Sequence, residues 1–328
     1  MRLAVLGGGS WGTALGAHLA RSGHEVRLWM RDDALARAIN ERRENSAYLP
    51  GIALPQGLQA TTDLAAAASA AESVFVVIPS AFCRSIYRQL GPVAREGAVL
   101  ISATKGIETG SLSRMTAVAA AEAPGHPLAV VSGPSFALEV AQGQPTTVVV
   151  AAFDMAVAEA VQRALSTRTF RAYSSDDVVG VEVAGALKNV IAIAAGIIDG
   201  LGYGHNTVAA LITRGLAEMT RLAVALGGRA DTLSGLAGLG DLVLTCTGTL
   251  SRNRRVGQAL GAGRTLAEVT AGTNMVAEGV RTTLAACALA DRTGIEMPIA
   301  RQMEAVLYHG KLPRDAVEEL MLRSLKRE

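Results

Sequence analysis

The chain has 328 residues, 50% of them hydrophobic and 18% charged, enough apolar side chain to fill two cores and too much for a disordered or fibrous class. Its 31 basic and 29 acidic residues leave a net charge of +2, so no overall field points to nucleic acid or an anionic membrane as a partner. The cysteines Cys83, Cys246 and Cys287 are odd in number, far apart and in no CxxC or metal spacing, and the histidines form no HExxH, which predicts no metal site and suits free thiols in a reducing, cytoplasmic setting.

Arg2 to Leu6 reads as a short apolar strand that runs into GGGSWG, then a helix from about Thr13 to Arg21, then a second strand from Glu25 to Met30. Glycines, His18 and a helical period interrupt any continuous apolar region of a signal peptide. Strand, glycine turn, helix, strand is the context of the dinucleotide fingerprint, and Gly7, Gly9 and Gly12 occupy its three positions. The first allows the tight turn, the second lets a pyrophosphate approach the backbone, and the third lets helix and strand pack closely. The N–H groups of Ser10, Trp11 and the next turn then face the phosphates. The fingerprint's acidic residue should follow the second strand, but Arg31 stands there, 19 residues after Gly12. An arginine suits a 2′-phosphate, so NADP(H) is the preferred nucleotide, with NAD(H) left open. Asp32 and Asp33 read as the cap and first turn of the next helix.

Further apolar strands are predicted at Ser73 to Ile78, Ala98 to Ser102, Leu128 to Val131, Thr146 to Val150 and Phe170 to Tyr173, with alanine-rich helices between them. That repetition implies a doubly wound, mainly parallel Rossmann-like sheet, whose ligand belongs at the carboxyl ends of the strands. Polar turns mark those ends at Pro79-Ser80, Ala103-Thr104-Lys105-Gly106 and Ser132-Gly133-Pro134-Ser135. Lys105 is well placed to meet a ligand anion, or is an ordinary loop lysine.

From about Asp176 the period is helical almost to the end. We expect a dinucleotide-binding domain over 1–178 and an all-helical domain for substrate and catalysis over 179–328. Two long helices, Val181 to Ile198 and Thr207 to Leu226, flank DGLGYGHN. No apolar run is expected to reach the roughly 18 residues that span a bilayer. Within GALKNVIAIAAGI, Lys188 and Asn189 are the strongly polar residues, and Ala184, Gly185, Ile191 and Ala192 surround the lysine on its helix face. Desolvation there pulls a lysine pKa down from about 10.4 and makes it a usable proton donor. The alternative is a stem lying on the helix with its head in water. His205, in a glycine-rich connection, is a rival acid. Further on, Ser251 reads as an N-cap, and Arg252, Arg254 and Arg255 crowd the first turn, where cations are disfavoured. A bound phosphate accounts for them; a solvated basic face or an incidental nucleic-acid patch is the other reading, without aromatic interleaving to support it.

At GGGSWGTALG, SATKGIE, VSGPSFA, EVAGALKNVIAIAAGIIDGLGYG, GLAGLGDLVLTCTGTLSRNRRVG and MVAEGV the chain resembles the bacterial NAD(P)-dependent sn-glycerol-3-phosphate dehydrogenases, from the first strand to about residue 310. The resemblance implies reduction of dihydroxyacetone phosphate to glycerol 3-phosphate for phospholipid synthesis. It implies Lys188 as the catalytic lysine and Lys105, Gly133, Ser135, Lys188, Asp241, Ser251, Arg252 and Asn253 as substrate ligands. As nucleotide contacts it implies Ser10, Trp11, Arg31, Lys105, Ala137, Arg252 and Glu278, beside the glycines. Asp241 then orients Lys188 or a substrate hydroxyl. Leu250 and Val256, flanking SRNRR, depart from the family pattern without touching its polar residues. The expected partner is a small phosphorylated substrate, with no nucleic acid and no membrane insertion, and the alanine-rich second domain suits a homodimer. A related two-domain reductase acting on another acid or sugar phosphate, and a non-catalytic NADP sensor, remain open.

Overall fold

The computed structural model describes residues 1–271 and 277–324. It divides into two compact units, Met1–Lys105 with Ser113–Glu182, and Gly106–Leu112 with Val183–Glu328.

The first unit is built on strands β1 (Arg2–Leu6), β2 (Glu25–Trp29), β3 (Leu58–Thr61), β4 (Ser73–Val76), β5 (Val99–Ser102), β6 (Leu128–Ser132), β7 (Thr146–Ala151) and β8 (Phe170–Ser175). Among the described residues they form one sheet in the order β3-β2-β1-β4-β5-β6-β7-β8. Between them run α1 (Ser10–Arg21), α2 (Asp33–Arg42), α3 (Leu64–Ala68), α4 (Ser80–Leu90), α5 (Met115–Glu122), α6 (Ala137–Ala141) and α7 (Met155–Leu165). The strands read as apolar runs because both sheet faces are covered. Along β1, Leu3 and Val5 pack with Leu15 and Leu19 of α1 and Val161 of α7, while Ala4 and Leu6 point the other way, towards Ile86 and Tyr87 of α4 and Val118 of α5.

The chain winds outward from β1 to β3, then returns to place β4 on the other side of β1. That reversal is the switch point where an open α/β sheet leaves a crevice at its carboxyl ends. The pairings are parallel with one exception: β7 lies antiparallel to β6, so β7 and β8 run against the other strands. Apolar runs carry no information on direction, so nothing in the sequence predicts this turnabout. Nor does it predict β3, a four-residue edge strand whose LQAT has too few apolar side chains to announce itself.

The second unit is helical: α8 (Val178–Gly200), α9 (His205–Ala225), α10 (Ala230–Ser234), a π-helical turn at Leu236–Gly240, α11 (Asp241–Thr247), α12 (Arg252–Gly261), α13 (Leu266–Thr270), α14 (Glu278–Thr293), α15 (Pro298–Tyr308) and α16 (Pro313–Met321). The division between units runs through α8 rather than ahead of it. Asp177 accepts from the Gly180 N–H at 2.8 Å, and Glu182 accepts from the Thr116 N–H at 2.8 Å and its hydroxyl at 2.6 Å, so the first turns of α8 belong with α5. The expectation about membrane-length runs needs correction. At 23 residues α8 is long and apolar enough to cross a membrane, yet its apolar stretch is 100% buried in protein. A helix apolar on all sides is what a core helix of a large protein requires.

Candidate active site

The glycine turn between β1 and α1 has the shape the sequence implied. Gly7 has φ +125°, and a Cβ there would stand 2.3 Å from the Val77 carbonyl oxygen; a Cβ on Gly12 would stand 1.9 Å from the Gly7 carbonyl oxygen. Both glycines are required by the protein itself. Gly9 is different, since its φ of −73° suits any residue and a Cβ there would meet nothing within 4 Å. Neither backbone nor packing demands a glycine at that point, and the open space there would let a ligand approach the backbone closely. The start of α1 has no side-chain cap and no acid in its first turn, so its N–H groups offer an anion site. The Trp11 indole N–H beside it is buried with no protein acceptor among the described residues, whereas the Ser10 hydroxyl donates to the Tyr48 carbonyl at 2.6 Å. These features fit a dinucleotide pyrophosphate.

Arg31 follows β2, exposed, with its guanidinium 5.6 Å from the centre of the Phe82 ring at the start of α4. Asp32 accepts from the Leu35 N–H at 3.0 Å as the cap of α2, and Asp33 pairs with Arg37 at 2.6 Å. Both acids are thus engaged locally, and the arginine is the group presented. At the ends of β5 and β6, the Lys105 ammonium donates to the Gly133 carbonyl at 3.0 Å and the Ser135 hydroxyl donates to the same oxygen at 2.9 Å. Gly133 has φ +138°, and a Cβ there would press on Val148 Cα at 3.0 Å. Ala137, half-buried, opens α6 just beyond.

In the second unit Lys188 lies on α8 with 6% of its surface exposed, the burial its apolar neighbours implied. Its ammonium donates to Asp241 Oδ1 at 2.5 Å and to the Thr245 hydroxyl at 2.7 Å. Asp241 is 1% exposed, and Thr245, one turn later on α11, donates its hydroxyl to the Asp241 carbonyl at 2.6 Å. The lysine does not send its head to water. Its charge is held against a carboxylate that offsets the cost of burying it, a partner that an argument from desolvation alone does not include. His205 sits exposed at the first position of α9.

Ser251 caps α12, accepting from the Arg254 N–H at 3.2 Å. Asn253, 8% exposed, donates to Asn189 Oδ1 at 2.9 Å and accepts from the Gly279 N–H at 3.0 Å, so its amide ties α12 to α8 and α14. Arg254 is neutralised by Asp199 at 2.6 Å. Arg252 keeps its side chain exposed, although protein packed around it pushes its pKa below the ordinary arginine value; Glu278, the first residue of α14, pulls it back up and Arg255 lowers it further. Its exposed surface leaves the guanidinium accessible, and an accessible guanidinium can bind an anion through charge-assisted hydrogen bonds. Met275 and Val276 of MVAEGV lie outside the described residues.

Comparison with known proteins finds relatives along the whole chain. The family described as NAD-dependent glycerol-3-phosphate dehydrogenase matches with its N-terminal part over residues 2–158 and its C-terminal part over 177–318. A glycerol-3-phosphate dehydrogenase (NAD(P)+) of Nitratidesulfovibrio vulgaris is 54% identical over 330 residues, covering 100% of both chains. The chain belongs to the NAD-dependent glycerol-3-phosphate dehydrogenase family. The crystal structure of glycerol-3-phosphate dehydrogenase from Coxiella burnetii superposes with a TM-score of 0.94 at 41% identity, covering 98% of each chain. That of the Saccharomyces cerevisiae enzyme, at 26% identity, gives a TM-score of 0.82 over 97% of this chain and 98% of that one.

In this glycerol-3-phosphate dehydrogenase family member, three side chains at these places are not singled out by the sequence as site residues. Thr245 stands four residues after Asp241 and so on the same helix face, a spacing that is available as a signal. Asn189 is conspicuous as a polar residue, but its bond to Asn253 joins residues 64 apart. Phe82, 44% exposed beside Arg31, follows a polar strand end and carries no signal of its own.

Proposed function

We propose that this chain is an oxidoreductase that reduces dihydroxyacetone phosphate to sn-glycerol 3-phosphate, reversibly, with NADP(H) preferred over NAD(H), and so supplies glycerol 3-phosphate for phospholipid synthesis. The observation that carries the reading is the buried Lys188–Asp241–Thr245 cluster in a chain that also holds the three glycines of the nucleotide fingerprint. The nicotinamide, when bound, supplies the hydride. Gly7, Gly9, Gly12, Ser10 and Trp11 hold the pyrophosphate, Arg31 meets the 2′-phosphate and the Phe82 ring offers the adenine a flat face, with Lys105, Ala137, Arg252 and Glu278 as further nucleotide contacts.

Lys188 polarises the substrate carbonyl and gives its oxygen the proton, while Asp241 and Thr245 hold the ammonium in place. Arg252 and the N–H groups after Ser251 bind the phosphate, with Lys105, Gly133, Ser135 and Asn253 completing the substrate site. Binding energy at the phosphate thereby fixes the carbonyl geometry. The chain acts in the cytoplasm without membrane insertion, a reading supported by three buried cysteines outside any disulfide and by an apolar stretch of α8 that is buried in protein, and it suits a homodimer.

The test is NADPH oxidation by the purified chain with dihydroxyacetone phosphate as sole acceptor. Turnover is expected, and its absence, with turnover on a phosphate-free keto acid instead, sinks the reading. For the nucleotide, Arg31→Glu should weaken NADPH by roughly 10- to 100-fold, the scale of one lost charge-assisted contact, and NADH far less. Equal weakening of both would make Arg31 a structural or stacking residue.

A further inference from the structure

The helices that carry Lys188 and Arg252 meet at four glycines. Gly196 and Gly200 lie one turn apart on α8, and Gly257 and Gly261 lie one turn apart on α12. A Cβ on Gly196 would come within 1.9 Å of the Arg254 carbonyl oxygen, and one on Gly257 within 2.0 Å of the Ile193 carbonyl oxygen. For Gly200 and Gly261 the corresponding contacts are 2.3 Å to the Gln258 oxygen and 2.5 Å to the Ile197 oxygen. The two backbones touch over two turns, leaving no room at the crossing for the side chains that ordinarily hold helix axes roughly 8–10 Å apart. With no side chains at the crossing, no rotamer is available to absorb a shift. Two polar pairs flank it: Asn189 with Asn253 at 2.9 Å and Asp199 with Arg254 at 2.6 Å.

We infer that this glycine crossing, locked by the Asp199–Arg254 ion pair, sets the distance from the phosphate ligand Arg252 to the Lys188 ammonium, and that Gly257, Asp199 and Arg254 are positioning residues for a ketone whose carbonyl adjoins the phosphorylated carbon. The inference rests on the proposed function and adds a determinant of substrate register to it. Lys188 is held on α8 by Asp241, and Arg252 opens α12. Phosphate binding can align the carbonyl only if α12 sits at one fixed distance from α8. The arrangement also gives two of the three arginines of the first turn separate duties, since Arg254 is consumed by the lock and Arg252 is left for the ligand.

The experiment compares the parent with Gly257→Ala and Asp199→Asn at saturating NADPH, measuring kcat/KM on dihydroxyacetone phosphate and on unphosphorylated dihydroxyacetone. A widened crossing should lower the value for the phosphorylated ketone by about 10- to 100-fold, the scale of a small misplacement, and leave that for dihydroxyacetone within about threefold. Exchanging the charges, Asp199→Arg with Arg254→Asp, should recover most of the loss that either change causes alone. Equal losses on both ketones, or none, would reduce the crossing to plain packing and overturn the inference. Should Gly257→Ala fail to fold by circular dichroism, Asp199→Asn, which leaves the backbone contact intact, decides by the same ratio. A parent inactive on dihydroxyacetone phosphate overturns the functional reading and this inference together, whereas an active parent with an unchanged ratio in its variants overturns the inference alone.

Discussion

Lys188 is a buried cation whose carboxylate partner lies 53 residues away, and its two properties, reactivity and cost, separate on mutation. Lys188→Met keeps the length and apolar stem that α8 accommodates. It also strands Asp241, 1% exposed, without the ammonium. We therefore expect turnover to fall by about 10²- to 10⁴-fold, as for loss of a general acid, and stability to fall by about 3 kcal/mol, as for breaking a buried pair from one side. Single-turnover rates well below the melting temperature isolate the first effect, and denaturant unfolding the second. A mutant that keeps more than about a tenth of parental turnover would move the acid elsewhere, with Lys105 and then His205 as the next candidates.

At the level of elements, α8 does two jobs at two points along its length. Near its start Glu182, 4% exposed at its side chain, receives Arg114 at 2.5 Å and both donors of Thr116, and so serves as the missing N-terminal cap of α5, whose own cap position holds an arginine. A carboxylate at that place satisfies orphan N–H groups and complements the helix dipole. Glu182→Leu matches the apolar helix yet takes the acceptor from the buried Thr116 N–H and hydroxyl and the counter-charge from Arg114, so we expect a loss of about 3 kcal/mol in urea unfolding. A loss under about 0.5 kcal/mol, the range of an ordinary surface change, would mean that water replaces the carboxylate there. Towards its end α8 gives up side chains altogether at Gly196 and Gly200, where the backbone of α12 lies against its own.

At the level of the whole molecule, stability should drift with pH through one buried carboxyl. Glu218 on α9, 2% exposed, accepts from the Ile299 N–H at 2.8 Å and the Ala300 N–H at 3.4 Å at the start of α15. Burial pushes its pKa from 4.5 up to about 7, against the pull of those N–H groups, Arg221 and Arg323. The folded chain then holds a proton that the unfolded chain releases, so its stabilising contribution is full below pH 4.5 and is lost as the pH rises through about 7. The change is on the order of 3 kcal/mol, and Glu218→Gln should flatten it in unfolding curves taken near pH 5 and pH 8. A parental curve that does not move between those conditions would show the carboxyl ionised throughout. The sequence by itself determined what local chemistry determines: the glycine turn, the arginine after β2, the Ser251 cap, and an apolar helix carrying a lysine. Each depends on residues within a turn or two of one another, and the side-chain periods of strand and helix expose them. The tertiary structure decided the antiparallel placing of β7, the direct contact of Lys188 with Asp241, a carboxylate for which the resemblance leaves a substrate hydroxyl as the other role, the tie between Asn189 and Asn253, and the backbone contact of α8 with α12. Those depend on which distant segments pack together, and a chain read in one dimension carries polarity and period but not the path that brings residues 188 and 241 within a hydrogen bond.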